Sequence, residues 1–243
     1  MASTSEIGHA KNVANFQDLI EFVTAYGATY NPSKNSLKLP QLIALKASAA
    51  ATLADVITKN TNYNNKVNER ITAFSGLKSL STRLVNALQT TDATTETIGN
   101  AKTFNRKMQG KKASSSQTPT DPNTPAPNTI STSQQSYDQL IQHLAGLTSI
   151  LEAETSYTPN ETDLQVATLQ TKIADLTAKN TAVATAYASI SNSRIARNET
   201  LYSSSTGLVE TANEVKKYIK SVFGASSPQF AQVKGIQFKI IKN

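Results

Sequence analysis

No cysteine occurs in the 243 residues. That excludes a disulfide framework, a cysteine-liganded zinc site and a thiol nucleophile. Tryptophan is absent, and the only histidines are His9 and His143. General bases of the usual kind are therefore scarce. His9 lies in an N-terminal stretch expected to be mobile. His143 lies on a predicted helix with no acidic residue three or four positions away, so it reads as a surface or boundary residue. Nine glycines leave little material for a phosphate cradle, and neither a P-loop nor a GxGxxG spacing is present. No HExxH, EF-hand loop or Cys/His spacing offers a metal site. The expectation is a protein without cofactor, metal, small-molecule ligand or catalytic residue, and not an enzyme.

Long apolar runs are also missing. None approaches roughly 18 residues, so a membrane span is not expected. The N-terminus, MASTSEIGHAKNVANF, has no apolar core of the signal-peptide kind, and the expected location is the cytoplasm. Only 38% of residues are hydrophobic. Thr, Ser, Asn and Ala fill the gap, which suits a bundle of long helices with a thin core better than a thick layered fold.

What the chain does contain is repetition. The segment Lys111 to Gln135 holds four of the eight prolines and reads as a solvated linker. It separates a first helical repeat unit, residues 1–110, from a second, residues 136–243, that ends in a tail. Phe16-Gln-Asp-Leu-Ile matches Tyr137-Asp-Gln-Leu-Ile. Tyr30-Asn-Pro32 matches Tyr157-Thr-Pro159, and Leu37 matches Leu164. Farther on, Leu77, Leu84 and Leu88 match Leu208, Val215 and Ile219. The chain thus reads as a tandem duplication.

Each half carries one long amphipathic stripe. Leu42, Leu45, Ala49, Leu53, Val56, Tyr63, Val67 and Phe74 mark the first; Val166, Leu169, Ile173, Leu176, Val183, Tyr187, Ile190 and Leu201 mark the second. Each predicts a helix of about 40 residues, roughly 60 Å long. Short helices are predicted over Asn15–Tyr26, Leu77–Gln89, Gln135–Glu152 and Gly207–Val222. The predicted fold is all-α: a duplicated short–long–short unit forming a pseudo-two-fold bundle with long antiparallel helices. The final Ile236–Ile241 stretch is expected to be a short strand or an extended tail on the bundle.

Polar residues interrupt the stripes. Asn180 either sets helix register or sits just off the core. Asn192, Arg194 and Arg197, with Lys66 and Arg70 at matching places in the first half, form a candidate polar contact patch. Solvated cations at helix ends come first as its reading, then paired contacts between helices satisfied by Glu69 or Glu199, then a phosphate site. Glu152, Glu154, Glu161 and Asp163 make an acidic corner, read as solvated rather than calcium-binding.

The net charge is +7 and the pI about 9.5. The densest basic patch is Lys216, Lys217 and Lys220, interleaved with Tyr218 and Phe223. Aromatics among lysines can hold single-stranded nucleic acid. Val215, Tyr218, Ile219 and Val222 fall at helical spacing, however, so these read as core with lysine stems covering the solvent side.

The segments YTPNETDL, NSRIARNETLY and VKKYIKSVFGASSPQFAQVKGIQF resemble a helical protein family encoded in Bacteroidota genomes, for which no activity is established. The resemblance covers the second half and more loosely the first, which has Lys66 in place of Arg194 and no FGxSSPxF segment. It implies a bacterial origin. Together these features point to a non-enzymatic structural or protein-interaction bundle, with a protein partner or a second copy as its contact. The alternative is a nucleic-acid-associated basic helical protein.

Overall fold

Why the two long segments become single helices is visible in what they omit. Neither has an internal glycine, and the only proline, Pro40, sits in the first turn where a missing N–H costs little. In the computed structural model, which describes residues 7–110 and 135–241, they form α2 (Leu39–Phe74) and α6 (Val166–Tyr202). The shorter helices are α1 (Ile7–Ala25), α3 (Leu77–Leu88), α4 (Thr95–Gln109), α5 (Tyr137–Ala153), α7 (Leu208–Phe223) and α8 (Pro228–Lys234). Among the described residues there is no strand. All but Gln135 of the predicted linker lies outside them.

Two compact units result, and they cut across the sequence halves. One comprises Met1–Tyr63 with Ala186–Asn243, the other Asn64–Thr185. Each unit therefore takes a stretch of both long helices and short helices from both halves.

In the first unit, α1 packs on α7, and α8 packs on both. Phe16, Leu19, Leu42, Leu201, Leu208, Val215 and Ile219 form its core. The hydroxyl of Ser193 donates to Asp55 at 2.6 Å, and the Tyr63 and Tyr187 rings lie 5.9 Å apart. Numbers rise along α2 as they fall along α6, so these stretches run antiparallel. Burial on this stretch of α2 is sparse: Leu42, Ala49 and Val56, at seven-residue steps. On α6 it is denser, with Ala186, Ile190, Ser193, Arg197 and Leu201 buried at three- and four-residue steps. Tyr187, expected on the buried stripe, is 59% exposed, because its ring lies across Tyr63 at the edge of the seam rather than within it.

In the second unit, α4 packs on both α3 and α5. The core gathers Leu77, Leu84, Leu88, Leu144, Leu147, Leu169 and Leu176. Gly146 lets α4 approach closely: a Cβ there would lie 2.5 Å from the Phe104 ring. Helix α4 was not expected, since only Ala101 and Met108 on it are buried. Its signals are at the ends. Thr94 caps the first turn by accepting from the Thr97 N–H, Arg106 and Lys107 sit in the last turn, and Gly110 closes it at φ 76°. Gly76, at φ 79°, makes the break between α2 and α3.

A buried tyrosine closes the corner before each long helix. Tyr30 donates to the Leu37 carbonyl at 2.7 Å, and Tyr157 to the Leu164 carbonyl at 2.9 Å. Both brackets enclose a short 3-10 turn, Asn35–Leu37 or Thr162–Leu164, that leads into the long helix. The first corner rests on α7, where Lys34 pairs with Glu214 at 2.6 Å. The second rests on α3, where Asp163 pairs with Arg83 at 2.5 Å.

Both histidines are buried, against expectation. His9 lies within α1 at 1% exposure, 2.7 Å from the Tyr202 hydroxyl. His143 is 6% exposed, tilted against the Phe104 ring. Flanking polarity hid both: α1 starts at Ile7, eight residues before the predicted helix at Asn15, and α4 covers His143.

The tyrosine corners make a pH-dependent prediction. Burial raises Tyr157 from 10.0 to about 12, with Glu161 and Asp163 adding to the shift, and raises Tyr30 further. Below about pH 10 both hydroxyls are neutral whether the chain is folded or not, so their contribution is intact. Above it the unfolded chain ionises first, and stability falls by up to about 1.4 kcal/mol per pH unit for each tyrosine until the folded hydroxyl titrates too. Tyr30→Phe and Tyr157→Phe should each lose about 1–2 kcal/mol at neutral pH, because a buried carbonyl loses its donor. The double variant should also lose the corresponding part of the alkaline slope. Urea titrations at pH 7 and through the alkaline range check both expectations.

Candidate functional site

The nominated polar patch is divided between the units. In the first, Asn192 is exposed, Arg194 is half-buried and Arg197 is 1% exposed. Arg197 occupies the next seven-residue step of α6 after Ile190, a core position. Its Nε and Nη2 donate to Asn198 Oδ1 at 3.1 and 2.8 Å. A guanidinium taken out of water needs such partners. The phosphate reading loses its central cation to the interior.

In the second unit, Lys66 pairs with Glu69 at 2.8 Å within α2 itself rather than between helices, and that bond holds the Glu69 carboxyl below its usual range. Arg70 does more. It stacks over the Tyr137 ring at 4.0 Å and donates from Nη1 to Asn180 Oδ1 at 3.0 Å. Asn180 in turn donates to Asp138 Oδ1 at 2.7 Å. Asn180 is a relay between a cation on α2 and a carboxylate on α5, half-buried at the seam. The planar guanidinium satisfies both the stack and the hydrogen bond.

Beside this relay lies an open cleft of about 600 Å³, lined by Asn65, Asn68, Glu69, Thr72, Asp175 and Lys179. Asp175 and Lys179, one turn apart on α6, pair along one wall at 3.4 Å. A second, smaller cleft of about 340 Å³ lies between the end of α3 and the second tyrosine corner, with Thr90, Asp92, Ser156, Thr158 and Glu161 on its walls. Most acidic residues of that corner are engaged. Glu152 accepts from Gln170 at 3.1 Å, Glu154 accepts from the Ser156 hydroxyl and N–H, and Asp163 holds Arg83. Those hydrogen bonds hold the Glu154 and Asp163 carboxyls below their usual range. Among the described residues no three His, Asp or Glu side chains converge as a metal site would require.

The basic patch is not a uniform face. Lys217 is exposed. Lys216 turns onto the C-terminal tail, where its ammonium donates to the Ile236 carbonyl and sits 5.2 Å from the Phe238 ring. Burial lowers its pKa. Lys220, one turn on, lies 5.8 Å from the Phe230 ring. Two of the three lysines thus cover aromatics of the chain itself.

The tail is extended rather than a strand. Asn15 donates to the Gln237 carbonyl at 2.6 Å. Asn12 donates to the Lys239 carbonyl at 2.7 Å and accepts from the Lys239 N–H at 3.0 Å. Sequence patterning found the tail's alternation but not Asn12 and Asn15. Two asparagines on the buried side of α1 were the available signal.

One helical segment, Leu39–Leu88, is long and apolar enough by composition to cross a membrane, its best window reaching a mean hydropathy of 1.2 with 17% of that window buried. Ala47, Ala49, Ala50, Ala51 and Ala54 raise the average without forming the unbroken run that the sequence criterion sought. No family model matches the chain, and no curated protein or solved structure does.

The relay predicts coupling. Arg70→Ala and Asn180→Ala should each destabilise the protein by about 1–2 kcal/mol, since each leaves a polar partner with an unmade bond. The double variant should lose less than the sum, by about 0.5 kcal/mol or more. Additive losses in a urea double-mutant cycle would show the two side chains to be independent.

Proposed function

We propose that the chain is a non-enzymatic structural or protein-interaction bundle, built from a duplicated short–long–short helical unit with pseudo-two-fold internal symmetry. The two tyrosine brackets span the same seven residues and enclose the same 3-10 turn. Each corner rests on the short helix that follows the other half's long helix. Buried residues at seven-residue steps on α2 and at three- and four-residue steps on α6 support an antiparallel coiled-coil pairing of the long helices. The resemblance of the second half supports a bacterial origin, and the cytoplasm remains the proposed location.

One observation carries the interaction reading. Helix α2 buries one residue in seven on its inner side and carries Ile43 and Ile57, 50% and 59% exposed, two heptads apart on another. Large apolar residues aligned on a long exposed helix suit a contact with a protein surface or a second copy. The alternative nucleic-acid reading keeps the +7 charge and the exposed Lys217 and Lys220.

Absolute mass by light scattering at physiological salt tests self-association. The expected result is a mass above 26.1 kDa that returns to 26.1 kDa in Ile43→Glu/Ile57→Glu. A wild-type monomer at every concentration would reject self-assembly through this face. Oligonucleotide binding that weakens steeply as salt rises would favour the alternative.

A further inference from the structure

The C-terminal tail is an extended segment that lies along α1 and is gripped by its main chain. Asn12, 2% exposed, makes both a donor and an acceptor bond to the backbone of Lys239. That is the pattern one β-strand residue makes with its neighbour, supplied by a side-chain amide. Asn15 takes the Gln237 carbonyl and Lys216 the Ile236 carbonyl. None of these bonds depends on which side chain the tail presents. The side chains of Gln237 and Lys239 are exposed.

Besides Ile236, which packs on the first unit's core, two side chains point inward. Phe238 stands edge-on to Phe16 at 6.4 Å, with the Lys216 ammonium near its ring. Ile241 lies where α1 has Gly8, and a Cβ there would come within 2.9 Å of its terminal methyl. The surface that α1 and α7 present to the tail therefore has three main-chain anchors, one aromatic seat and one small-residue notch.

We propose that this groove is a binding site for an extended peptide with an aromatic residue at the Phe238 position and an aliphatic residue three places later, and that the chain's own tail is its resident ligand. Main-chain recognition with one or two side-chain pockets is how extended peptides are generally held. The second unit offers a parallel that rests on the repeat reading. There α3 and α5, the counterparts of α7 and α1, are covered by α4, a full helix. In the first unit α8 and the tail together take that place on α7 and α1. The groove itself stands on the first unit's contacts alone and does not involve the exposed α2 face.

A tethered tail competes with any free peptide at an effective concentration on the order of millimolar, so the intact chain should bind a second peptide poorly. Lys239→Pro in the full chain removes the N–H that Asn12 accepts while leaving the groove untouched. Phe238→Ala is the second variant and empties the aromatic seat. Each is titrated with a fluorescent peptide of residues 234–243, helical content being followed by circular dichroism. The expected result is helical content unchanged and binding at least about tenfold tighter than to the wild-type chain. That binding should vanish for a peptide with alanine at the Phe238 position and for a Lys239→Pro chain that also carries Asn12→Leu. Folded variants that bind no peptide at about 1 mM would overturn the proposal, since the groove would then have no affinity beyond the tether. Loss of helix in both variants would overturn it too, because the tail would be part of the core and not a ligand. Neither outcome bears on the mass measurement, so this proposal and the self-association reading can fail separately.

Discussion

Scarcity of apolar side chains is the constraint from which the rest of the structure follows. With 38% of its residues hydrophobic, the chain cannot fill a thick interior. Burial in the first unit's part of α2 is reduced to Leu42, Ala49 and Val56, one residue in seven. A seam that narrow contributes little per turn, so its partners must be fixed by other means. Polar contacts do this at intervals: Ser193 on Asp55 in the first unit, Arg70 on Asn180 in the second. The apolar residues that remain are concentrated where short helices meet, around Phe16, Leu19 and Ile219, and around Leu84, Leu144 and Leu147. Within each unit, a small core of this kind uses such a composition economically.

The corners decide which short helix each core receives. A tyrosine hydroxyl tied to a carbonyl seven residues on shapes the chain before it enters the long helix. One charged pair then docks the corner. The two pairs have opposite polarity: the corner supplies Lys34 to Glu214 in one unit, and Asp163 to Arg83 in the other. Under the repeat reading Glu214 and Arg83 are equivalent places, and Lys34 and Asp163 belong to equivalent corners but lie two positions apart on them. On that reading, a corner that met the short helix of its own half would bring Lys34 toward Arg83 and Asp163 toward Glu214. Exposed pairs stabilise weakly, but like charges brought together discriminate between alternatives that apolar contacts cannot tell apart. Under the repeat reading, reversed polarity favours the pairing seen here.

Much of this was legible in the residues. The three- and four-residue steps located α2 and α6. What stayed hidden was hidden for physical reasons. Helix α4 has almost no stripe, because it covers α3 and α5 through Ala101, Phe104 and Met108 and shows polar residues elsewhere. Its caps were the readable signal. Arg197 looked like a surface cation because a charged residue on a stripe is usually an interruption. Here it is a core position whose guanidinium is satisfied locally by Asn198. Lys66 and Arg70 fall in one compact unit and Arg194 and Arg197 in the other, since the units exchange parts of the two halves. Periodicity places residues on a face of a helix. It does not say which distant segment covers that face.

The tail shows the same limit from the other side. Alternating apolar and polar residues from Ile236 onward fit a strand, yet a strand needs a neighbour with free backbone groups. An α-helix has none along its length, for each N–H and C=O inside it is already paired. Side-chain amides on the helix surface are the remaining donors and acceptors with the right geometry, and an asparagine offers both within one group. Asn12 and Asn15 therefore give the tail what an edge strand would have given it, at the cost of burying two amides in α1. That cost is recovered only when an extended backbone lies against them. A helix face with buried amides and no such backbone would carry unpaired polar groups, so the face and an extended chain segment are required together.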